Sequence, residues 1–356
     1  MAKLDDIKTM KRYDVSDMLK LLETFPQQVR DAARIGADFK LPDSYKCEYS
    51  NIVCAGLGGS AIGADIMRSY VADEATMPIS VCRNYTLPNF VGTGSLVIVS
   101  SYSGNTEETI SAYKDAKDMG ARIIAITSGG EIQRMAKADG NPCLIIPSGL
   151  PPRCALGYSF FPLLALMSKI GALHDKSKEV EETIRVLETL KDKRIGPSVP
   201  EKKNLSKKIA SELREKYGII YGGQDHMDCV VTRWRGQIEE NSKALASSHV
   251  FPEMNHNEIV GWANPRSLLK KFVVIMLRDR SDHPRVARRM DISKGIIRKR
   301  AGKIIEAESV GDSLLARMFS LVYIGDFASY YLAILNKIDP TPVTMVTYLK
   351  NELAKR

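Results

Sequence analysis

The sequence predicts an α/β protein with two doubly wound parallel-sheet domains, each with helices on both faces of its sheet. The chain has 356 residues, of which 44% are hydrophobic, and this exceeds the size that a single core usually organises. Short runs that are apolar throughout alternate with helix-like segments, which is typical of parallel strands covered on both sides. The alternation stops in the loop IGPSVPEKKN and restarts after it, which indicates a second domain.

The first fifty residues, 1–50, are predicted to form an N-terminal helical segment that packs on the core. In DVSDMLKLLETF the apolar positions Met18, Leu21 and Leu22 have helical spacing, and Ser16 is a possible N-cap. Pro26 then opens a second short helix, because proline is tolerated in the first helical turn.

Residues 51–175 are predicted to form the first domain. The strand-like segments are, in order, NIVCAGL, PISVCR, SLVIVSS, ARIIAIT and CLIIP. The main helix-like segments are SAIGADIMRSYVA, NTEETISAYKDAKDMG and ALGYSFFPLLALMSKIGAL. The strands are apolar along their length, so we expect a sheet covered on both faces.

Residues 176–205 are predicted to form a helical linker, and 206–356 a second domain with a C-terminal helix. The second domain offers the strands GIIYGG, KKFVVIML and KIIEAES, a long helix from Met227, a basic helix and the long apolar helix SLLARMFSLVYIGDFASYYLAIL. Both NIVCAGLGGS and YGIIYGGQDH run from a strand through a glycine loop into a helix. This likeness suggests an internal duplication.

Charge and cysteine content limit the classes of partner. The net charge is +9, with much of the excess between Arg266 and Lys303, but no Phe, Tyr or Trp lies between Arg278 and Lys303 and no nucleic-acid-binding motif is visible. We interpret it as a solvated helical face and expect no nucleic-acid partner. The charged N-terminus and the lack of an apolar run of bilayer length predict a cytoplasmic protein without a membrane partner. Six scattered cysteines are interpreted as buried thiols: Cys47, Cys54, Cys82, Cys143, Cys154 and Cys229.

The segment GLGGSAIG, from Gly56 to Gly63, follows a strand and opens a helix. Glycines here let backbone amides approach a ligand at a helix N-terminus, an arrangement that favours anions. A dinucleotide site would want its third glycine where the chain has Ala61, and an acidic residue where PISVCRN supplies Arg83. A purely structural tight turn is the other alternative.

The segment SSYSGNTEET gathers hydroxyl groups where a strand gives way to a helix. Its hydroxyl residues are Ser100, Ser101, Ser103 and Thr106. Together with helix amides they would make a phosphate cradle that needs no lysine. The alternative is a helix cap made by Thr106 with help from Glu108 or Thr109. A cap needs one hydroxyl, so four of them favour a ligand.

These motifs resemble the sugar-phosphate site of sugar-isomerase (SIS) domains, which have a flavodoxin-like fold. GLGGSAIG, SYSGNTEET and ITSGG carry this first resemblance. PPRCALGYSF, RGQIEENSKALA, MNHNEIVGW and DPTPVTMVTYLKNEL resemble the bifunctional phosphoglucose/phosphomannose isomerase family. The resemblance runs from about Asn51 to the C-terminus, and is least between Lys176 and Lys216.

The resemblance implies a role for ten residues. Phosphate recognition falls on Ser101, Ser103 and Thr106, and sugar contacts on Gly58, Gly59 and Ser60. Arg153 matches the arginine that faces the developing enediolate, Glu240 the base, His256 the ring-opening histidine and Lys350 a substrate-contacting lysine. In this family the histidine resembles one given by the neighbouring subunit, so a homodimer is expected, with the site between the domains. Glu239 departs from the family, which often has asparagine before the base.

The implied activity is that of an aldose-ketose isomerase of carbohydrate metabolism, in glycolysis and gluconeogenesis. It would interconvert glucose 6-phosphate and fructose 6-phosphate, and also mannose 6-phosphate and fructose 6-phosphate, by enediol proton transfer. We expect neither metal nor cofactor, because His256 and Glu258 form an H-x-E pair that no further ligand cluster supports.

Two other activities are possible for SIS domains. A sugar-phosphate sensor would bind the ligand without turnover, but the residues before Asn51 are short for a DNA-binding module. An amino-sugar isomerase resembling glucosamine-6-phosphate synthase would need an amidotransferase domain with an N-terminal cysteine, and Met1, Ala2 and Lys3 open this chain.

Overall fold

The computed structural model describes residues 4–353 and 355, which form two compact units. The first unit comprises Thr24–Arg185 and Ser313–Ala316, and the second the described residues of Met1–Glu23, Val186–Asp312 and Arg317–Arg356. These ranges differ from the expected domains, since the first fifty residues are divided between the units. The domain ranges read from the sequence therefore stay a prediction.

Two short helices of the second unit begin the chain, α1 Ile7–Tyr13 and α2 Met18–Glu23. The prediction of Ser16 as the cap of α2 is wrong. The Asp14 carboxylate instead accepts hydrogen bonds from the Met18 and Leu19 amides, at 2.7 and 2.8 Å. An anionic acceptor suits the positive end of a helix better than a hydroxyl. Ser16 donates to Asp339 at 2.8 Å.

The first unit holds five strands. It begins with α3 Phe25–Asp38, which has Pro26 in its first turn as predicted. The elements that follow are β1 Asn51–Ala55, α4 Gly58–Tyr70, β2 Ile79–Cys82, β3 Ser95–Ser101, α5 Glu107–Asp118, β4 Arg122–Thr127, α6 Gly130–Ala138, β5 Cys143–Ile145, α7 Leu156–Lys169 and α8 Ser177–Leu190. The last five residues of α8 are assigned to the second unit.

The five strands form one parallel sheet in the order β2-β1-β3-β4-β5. Ile52 of β1 pairs with Ile79 on one side and with Leu96 on the other. The chain runs outward from β1 to β2 and then returns to β3, so the loops after β1 and β3 are neighbours at the carboxyl edge. This switch point is where doubly wound sheets bind ligands.

The second unit repeats the same winding with four strands. Its further elements are α9 Leu205–Leu213, β6 Tyr217–Gly223, α10 Asp228–Ser242, β7 Ala246–Phe251, α11 Glu258–Gly261, α12 Arg266–Leu269, β8 Phe272–Arg278, α13 Pro284–Ile297, β9 Lys303–Glu308, α14 Leu314–Leu335 and α15 Thr344–Leu353. The strands are parallel in the order β7-β6-β8-β9. The predicted fold class is confirmed, although β7 was not foreseen.

Helix α14 has 22 residues and is strongly apolar. It is long and apolar enough to cross a membrane by length and composition, contrary to the expectation that no run reaches that length. Its most apolar window is wholly buried in the structure, as in the core helix of a globular protein. Buried aromatic residues of α14, among them Tyr323 and Tyr331, donate to the carbonyls of Leu22 and Ile195.

The stretch Ile195 to Asn204 was expected to be a boundary loop, but it is packed around a buried ammonium group. Lys207 of α9 is fully buried, and its Nζ donates to the carbonyl oxygens of Pro197 and Val199 at 2.9 and 2.8 Å. Asp5 pairs with the same Nζ at 2.9 Å. A buried lysine needs such partners, so its surroundings must be fixed.

The cysteines are free thiols, as expected, but two are not buried. Cys47 is exposed and Cys143 is partly exposed, whereas Cys54, Cys82, Cys154 and Cys229 are buried. Burial raises the pKa of the Cys54 thiol to about 12, so it stays protonated.

Candidate active site

The glycine loop after β1 lies tightly against two other segments of the first unit. Gly58 opens α4 with a φ of +51°, a conformation that favours glycine. A Cβ on Gly59 would stand 2.4 Å from the carbonyl oxygen of Pro152, so only glycine fits there. No side chain caps α4, and its first-turn amides face the sheet's carboxyl edge. The tight packing fits a structural turn as well as an anion or sugar site, so the site stays a prediction.

The hydroxyl loop after β3 is joined to the glycine loop by a direct hydrogen bond. The Tyr102 amide donates to Ser60 Oγ at 3.1 Å. Within the hydroxyl loop, Ser101 Oγ donates to Thr106 Oγ1 at 3.1 Å and accepts from the Gly104 amide at 3.2 Å. Ser101 is buried, whereas Ser103 is exposed. The predicted residues Ser60, Ser101 and Thr106 are thus brought together by the fold.

Thr106 occupies the N-cap position of α5, but its side chain makes no capping bond. The alternative of an elaborate helix cap is therefore wrong. Amides of the first helical turn have no partner within the helix, and such amides can bind an anion such as a phosphate. The predicted phosphate cradle thus has hydroxyls and helix amides within one loop, and the first turn of α5 also carries Glu107 and Glu108.

The strand end ITSGG is hydrogen-bonded to the hydroxyl loop. Ser128 donates to the Tyr102 carbonyl through its amide at 3.0 Å and its hydroxyl at 2.6 Å. Gly104 has a φ of +71°, and a Cβ there would lie 1.8 Å from the Gly129 carbonyl oxygen. The loops after β3 and β4 are therefore in contact, which fixes the cradle.

Two supporting residues were missed by the sequence reasoning. The Tyr102 hydroxyl accepts a hydrogen bond from the Leu150 amide at 2.9 Å, and the Asn105 side chain accepts one from the Glu131 amide at 3.0 Å. Both join segments that are distant along the chain. No local pattern could have singled them out.

Arg153 lies in a short 3₁₀ turn, Pro152–Cys154, directly before α7. Its side chain is buried, with 5% of its surface exposed. Gln28 of α3 holds the turn: it donates to the Cys154 carbonyl at 2.9 Å and accepts from the Gly157 amide at 2.8 Å. Since a guanidinium is always charged and costly to bury, the groups around Arg153 must stabilise its charge.

Arg83 follows β2, where a dinucleotide site would present an acid. Its guanidinium pairs with the Asp65 carboxylate of α4. The position is thus occupied by an ion pair of the protein itself, which gives no support to a dinucleotide-binding arrangement.

Glu240 lies in the last turns of α10, in the second unit, and is half-buried. Polar bonds fix α10 to α14: Arg233 and Gln237 donate to Asp326, each at 2.8 Å. Asn241, one turn further, donates to Ser329 at 2.9 Å. Positions 233, 237 and 241 share one face, so Glu240 stands beside that face with its backbone fixed.

Glu239, which precedes the predicted base, has a raised pKa. Burial raises the pKa of Glu239, the Arg235 guanidinium 3.9 Å away opposes the rise, and the Glu240 charge adds to it.

His256 and Lys350 are both exposed. His256 ends a 3₁₀ turn, Glu253–Asn255, and its amide donates to the Glu253 carbonyl at 2.9 Å. Lys350 lies on α15, a helix without buried residues. The structure brings neither side chain against a described partner, in contrast to the bonded cluster of the first unit.

Glu258, the second member of the H-x-E pair, is engaged by protein groups. It accepts a hydrogen bond from the Tyr221 hydroxyl and lies 2.8 Å from His249 Nδ1. Burial and the Glu258 charge raise the pKa of Tyr221, so its hydroxyl stays a donor. In the part of the chain that the structure describes, no three His, Cys, Asp or Glu side chains form a metal-binding group.

Comparison with known proteins identifies the family. Residues 45–147 match the SIS domain, and residues 202–353 match the bacterial phospho-glucose isomerase C-terminal SIS domain. The bifunctional phosphoglucose/phosphomannose isomerase of Caldicellulosiruptor bescii is 48% identical over 95% of this chain and 99% of its own length. The chain belongs to the bifunctional phosphoglucose/phosphomannose isomerase family. A relative of the same name from Aquifex aeolicus is 36% identical over 86% of this chain and 91% of its own.

Solved structures agree with this family in fold. The C-terminal domain of glucosamine-fructose-6-phosphate aminotransferase from Francisella tularensis superposes with a TM-score of 0.71 at 14% identity, over 91% of this chain and 98% of its own. A glucose-6-phosphate isomerase like protein from Thermus thermophilus gives 0.64 at 18% identity, over 96% and 98%. As a bifunctional-family member, the chain is an aldose-ketose isomerase that acts on sugar phosphates.

Proposed function

We propose that the chain interconverts glucose 6-phosphate and fructose 6-phosphate, and mannose 6-phosphate and fructose 6-phosphate, through an enediol and without a metal ion. The observation that carries the proposal is the bonded hydroxyl and glycine cluster at the β1/β3 switch point, formed by residues that the family resemblance assigns to the sugar phosphate. The comparisons name isomerases, so a sensor without turnover is not favoured.

The substrate phosphate would be held by neutral donors. Ser101, Ser103 and Thr106 offer hydroxyls, and the first turn of α5 offers amides beneath them. A cradle of this kind binds a dianion through directed hydrogen bonds, without a lysine that would bind any anion. Gly58 and Gly59 would let the sugar approach the backbone closely.

The reaction needs ring opening followed by transfer of a proton between two carbons. His256 would first move a proton between the ring oxygen and the anomeric hydroxyl, which opens the ring. Glu240 would then remove the proton on carbon 2 of the open-chain aldose, while the electron pair forms the carbon 1 to carbon 2 double bond and the carbonyl becomes an enediolate oxygen. Returning the proton to carbon 1, with transfer of the hydroxyl proton from oxygen 2 to oxygen 1, yields the ketose.

Arg153 would stabilise the enediolate. A fixed positive charge near the oxygens lowers the energy of the negative charge that develops on them. The enediol is planar at carbon 2, so the face that receives the returning proton decides whether glucose or mannose 6-phosphate forms. Both products therefore fit one set of residues.

We further propose a cytoplasmic homodimer in which His256 serves the site of the partner subunit. The exposure of His256 supports this, because a general acid that serves its own site is usually enclosed. The isomerisation would lie at the hexose-phosphate step that glycolysis and gluconeogenesis share.

The dimer proposal is tested by complementation. Glu240→Gln and His256→Ala are each expected to be inactive, and isolated mixed heterodimers should recover about half of wild-type activity, because each would contain one intact site of two. Co-expression with two affinity tags isolates the mixed dimers. Inactive heterodimers would show that both residues act within one chain.

The reaction itself is tested with a coupled assay. Fructose 6-phosphate should be converted to both glucose 6-phosphate and mannose 6-phosphate, and the rates should be the same after dialysis against a chelator. Binding of fructose 6-phosphate without turnover would instead support the sensor, and turnover lost in chelator would contradict the metal-free mechanism.

A further inference from the structure

Gly236 interrupts α10 one turn before Glu240, and no packing contact explains it. A glycine inside a helix costs about 0.5–1 kcal/mol relative to alanine. A Cβ added at Gly236 would meet no atom within 4 Å. Gly325 of α14 is different, because a Cβ there would lie 2.5 Å from the Trp234 ring. Gly325 is needed for helix packing, whereas Gly236 keeps a space empty.

The empty space lies next to the proposed base. Residues four apart share one face of a helix, and helical side chains lean toward the N-terminus. The Glu240 side chain therefore leans toward the turn that contains Gly236. Both residues are partly exposed, beside the face that Arg233, Gln237 and Asn241 fasten to α14.

We propose that Gly236 leaves room for the reacting carbons of the sugar beside the Glu240 carboxylate. The inference rests on the proposed function. Proton transfer requires the carbon to approach the carboxylate oxygen to roughly 3–3.5 Å, and a methyl group on the neighbouring turn would occupy part of that approach. Glycine at position 236 thus makes the helix less stable but leaves the base accessible to the sugar.

The test compares Gly236→Ala with Gly295→Ala. Gly295 lies within α13, and a Cβ there also meets no atom within 4 Å. Both substitutions should raise the melting temperature by a few degrees, since each removes a helical glycine. Only Gly236→Ala should lower kcat/KM, by roughly tenfold or more for both aldose phosphates.

Three outcomes would overturn or separate the claims. If Gly236→Ala keeps the kcat/KM of Gly295→Ala, the space has no role in the reaction and the inference fails. If Gly236→Ala loses activity only because the dimer dissociates, as light scattering would show, the space belongs to an interface and the inference also fails. If the wild type has no turnover, the proposed function fails instead.

A second observation concerns the turn that carries His256. Three neighbours of His256 are fastened to the second unit: Met254 is fully buried, Asn255 donates to Ser293 of α13 at 2.8 Å, and Glu258 is bound on both oxygens. His256 and Asn257 alone remain exposed between these anchors. The turn therefore holds one histidine outward on a fixed backbone.

The geometry points to Glu258 as the positioning residue for His256. Its Oε1 is held by Tyr221 of β6 and its Oε2 by His249 of β7, so its side chain joins α11 to two strands. The Trp262 ring nitrogen donates to the Tyr221 hydroxyl at 3.1 Å and completes the network. Because Glu258 follows His256 by two residues, loss of this network would release the turn. This inference also depends on the proposed ring-opening role.

A double-mutant cycle tests this role. Glu258→Gln should slow enzyme-catalysed anomer exchange of fructose 6-phosphate and isomerisation together, by roughly tenfold to a hundredfold. In a His256→Ala background, Glu258→Gln should have no further effect on either rate. Exchange between anomers is measured by NMR. Tyr221→Phe removes one hydrogen bond to Glu258, so it should slow the same two rates, but by less than Glu258→Gln.

The control is Glu253→Gln, an exposed carboxylate in the same turn, which should keep both rates. Equal effects of Glu258→Gln with and without His256 would show a general structural role and overturn the inference. A Glu258→Gln variant as active as Glu253→Gln would overturn it as well.

Discussion

The two sheets share one winding but differ in what occupies their switch points. In the first unit, the loops after β1 and β3 present glycines and hydroxyls, with Ser60 and Ser101 bonded into one cradle. In the second unit, the loop after β8 presents carboxylates instead. A Cβ on Gly223, at the end of β6, would lie 2.7 Å from Asp282 Oδ1, so the protein's own side chain closes that loop.

The carboxylates of the second switch point bind groups of the protein. Asp279 is buried, yet hydrogen bonds from Ser281, Ser309 and Arg317 lower its pKa against the effect of burial. Arg317 Nε donates to Asp279 Oδ2 at 2.9 Å. The comparison shows that winding alone does not make a phosphate site. The loop side chains decide whether a switch point receives a ligand or is used for stability.

The largest expected effect is on the stability of the second unit. Asp279→Ala leaves the Arg317 charge buried without its carboxylate, and this should lower the free energy of unfolding by about 3–5 kcal/mol. KM for fructose 6-phosphate should be unchanged wherever the variant is folded. Urea denaturation and steady-state kinetics check the two parts. A raised KM for fructose 6-phosphate with an unchanged free energy of unfolding would contradict the view that only the first switch point binds substrate.

A smaller effect is expected on substrate binding in the first unit. Ser103→Ala removes an exposed hydroxyl from the cradle, and KM for sugar phosphates should rise roughly tenfold because a hydrogen bond to a charged group contributes about 1.5–3 kcal/mol. Ser281→Ala is the matched control, since Ser281 donates to Asp279 in the corresponding loop of the second unit. Equal KM values for both variants would contradict the assignment of the phosphate site.

The smallest effect is a pH dependence at Asp282. Burial raises the pKa of Asp282 to about 6, the Asp279 and Asp225 charges add to the rise, and the Asp279 amide and Arg278 oppose it. The folded state then binds this proton more tightly than the unfolded chain, so the stabilisation is present below about pH 4 and is lost as the pH rises through about 6. Asp282→Asn stays neutral and should be more stable than wild type by about 1–2 kcal/mol at pH 7.5.

The stability difference between Asp282→Asn and wild type should shrink as the pH falls from 7.5 to 4.5, where the wild-type carboxyl is protonated. Urea denaturation at both pH values measures it. A difference that is the same at both would show that Asp282 is not titrating in this range.

The sequence predicted the elements whose patterns are local. Strands β1, β3 and β8 are unbroken apolar runs, and each was located because a buried parallel strand has no polar face. Strand β7 was missed because its sequence, ASSHVF, is polar in the middle and the strand lies at a sheet edge, partly exposed. Ser16 was predicted to cap α2, but Asp14 provides the cap. Spacing alone cannot show which of two nearby acceptors binds the helix amides.

The site was predictable to the extent that its residues are adjacent in sequence. Ser101, Ser103 and Thr106 fall within one loop, so their clustering was visible. The role of Tyr102 was not visible in the sequence. Its hydrogen bonds to Ser60 and Leu150 depend on loops that the sheet brings together. Glu258 was considered only as a metal ligand, and its bonds to Tyr221 and His249 required the register of β6 and β7.

The central claim is that one carboxylate, Glu240, carries the proton between the two sugar carbons. The most direct measurement is conversion of fructose 6-phosphate to glucose 6-phosphate and mannose 6-phosphate by Glu240→Gln, with Glu239→Gln as the matched neighbour. We predict that Glu240→Gln loses both conversions by about 10²–10⁴-fold while fructose 6-phosphate still binds, and that Glu239→Gln retains most of its turnover. A Glu240→Gln variant that isomerises at the wild-type rate would contradict the account.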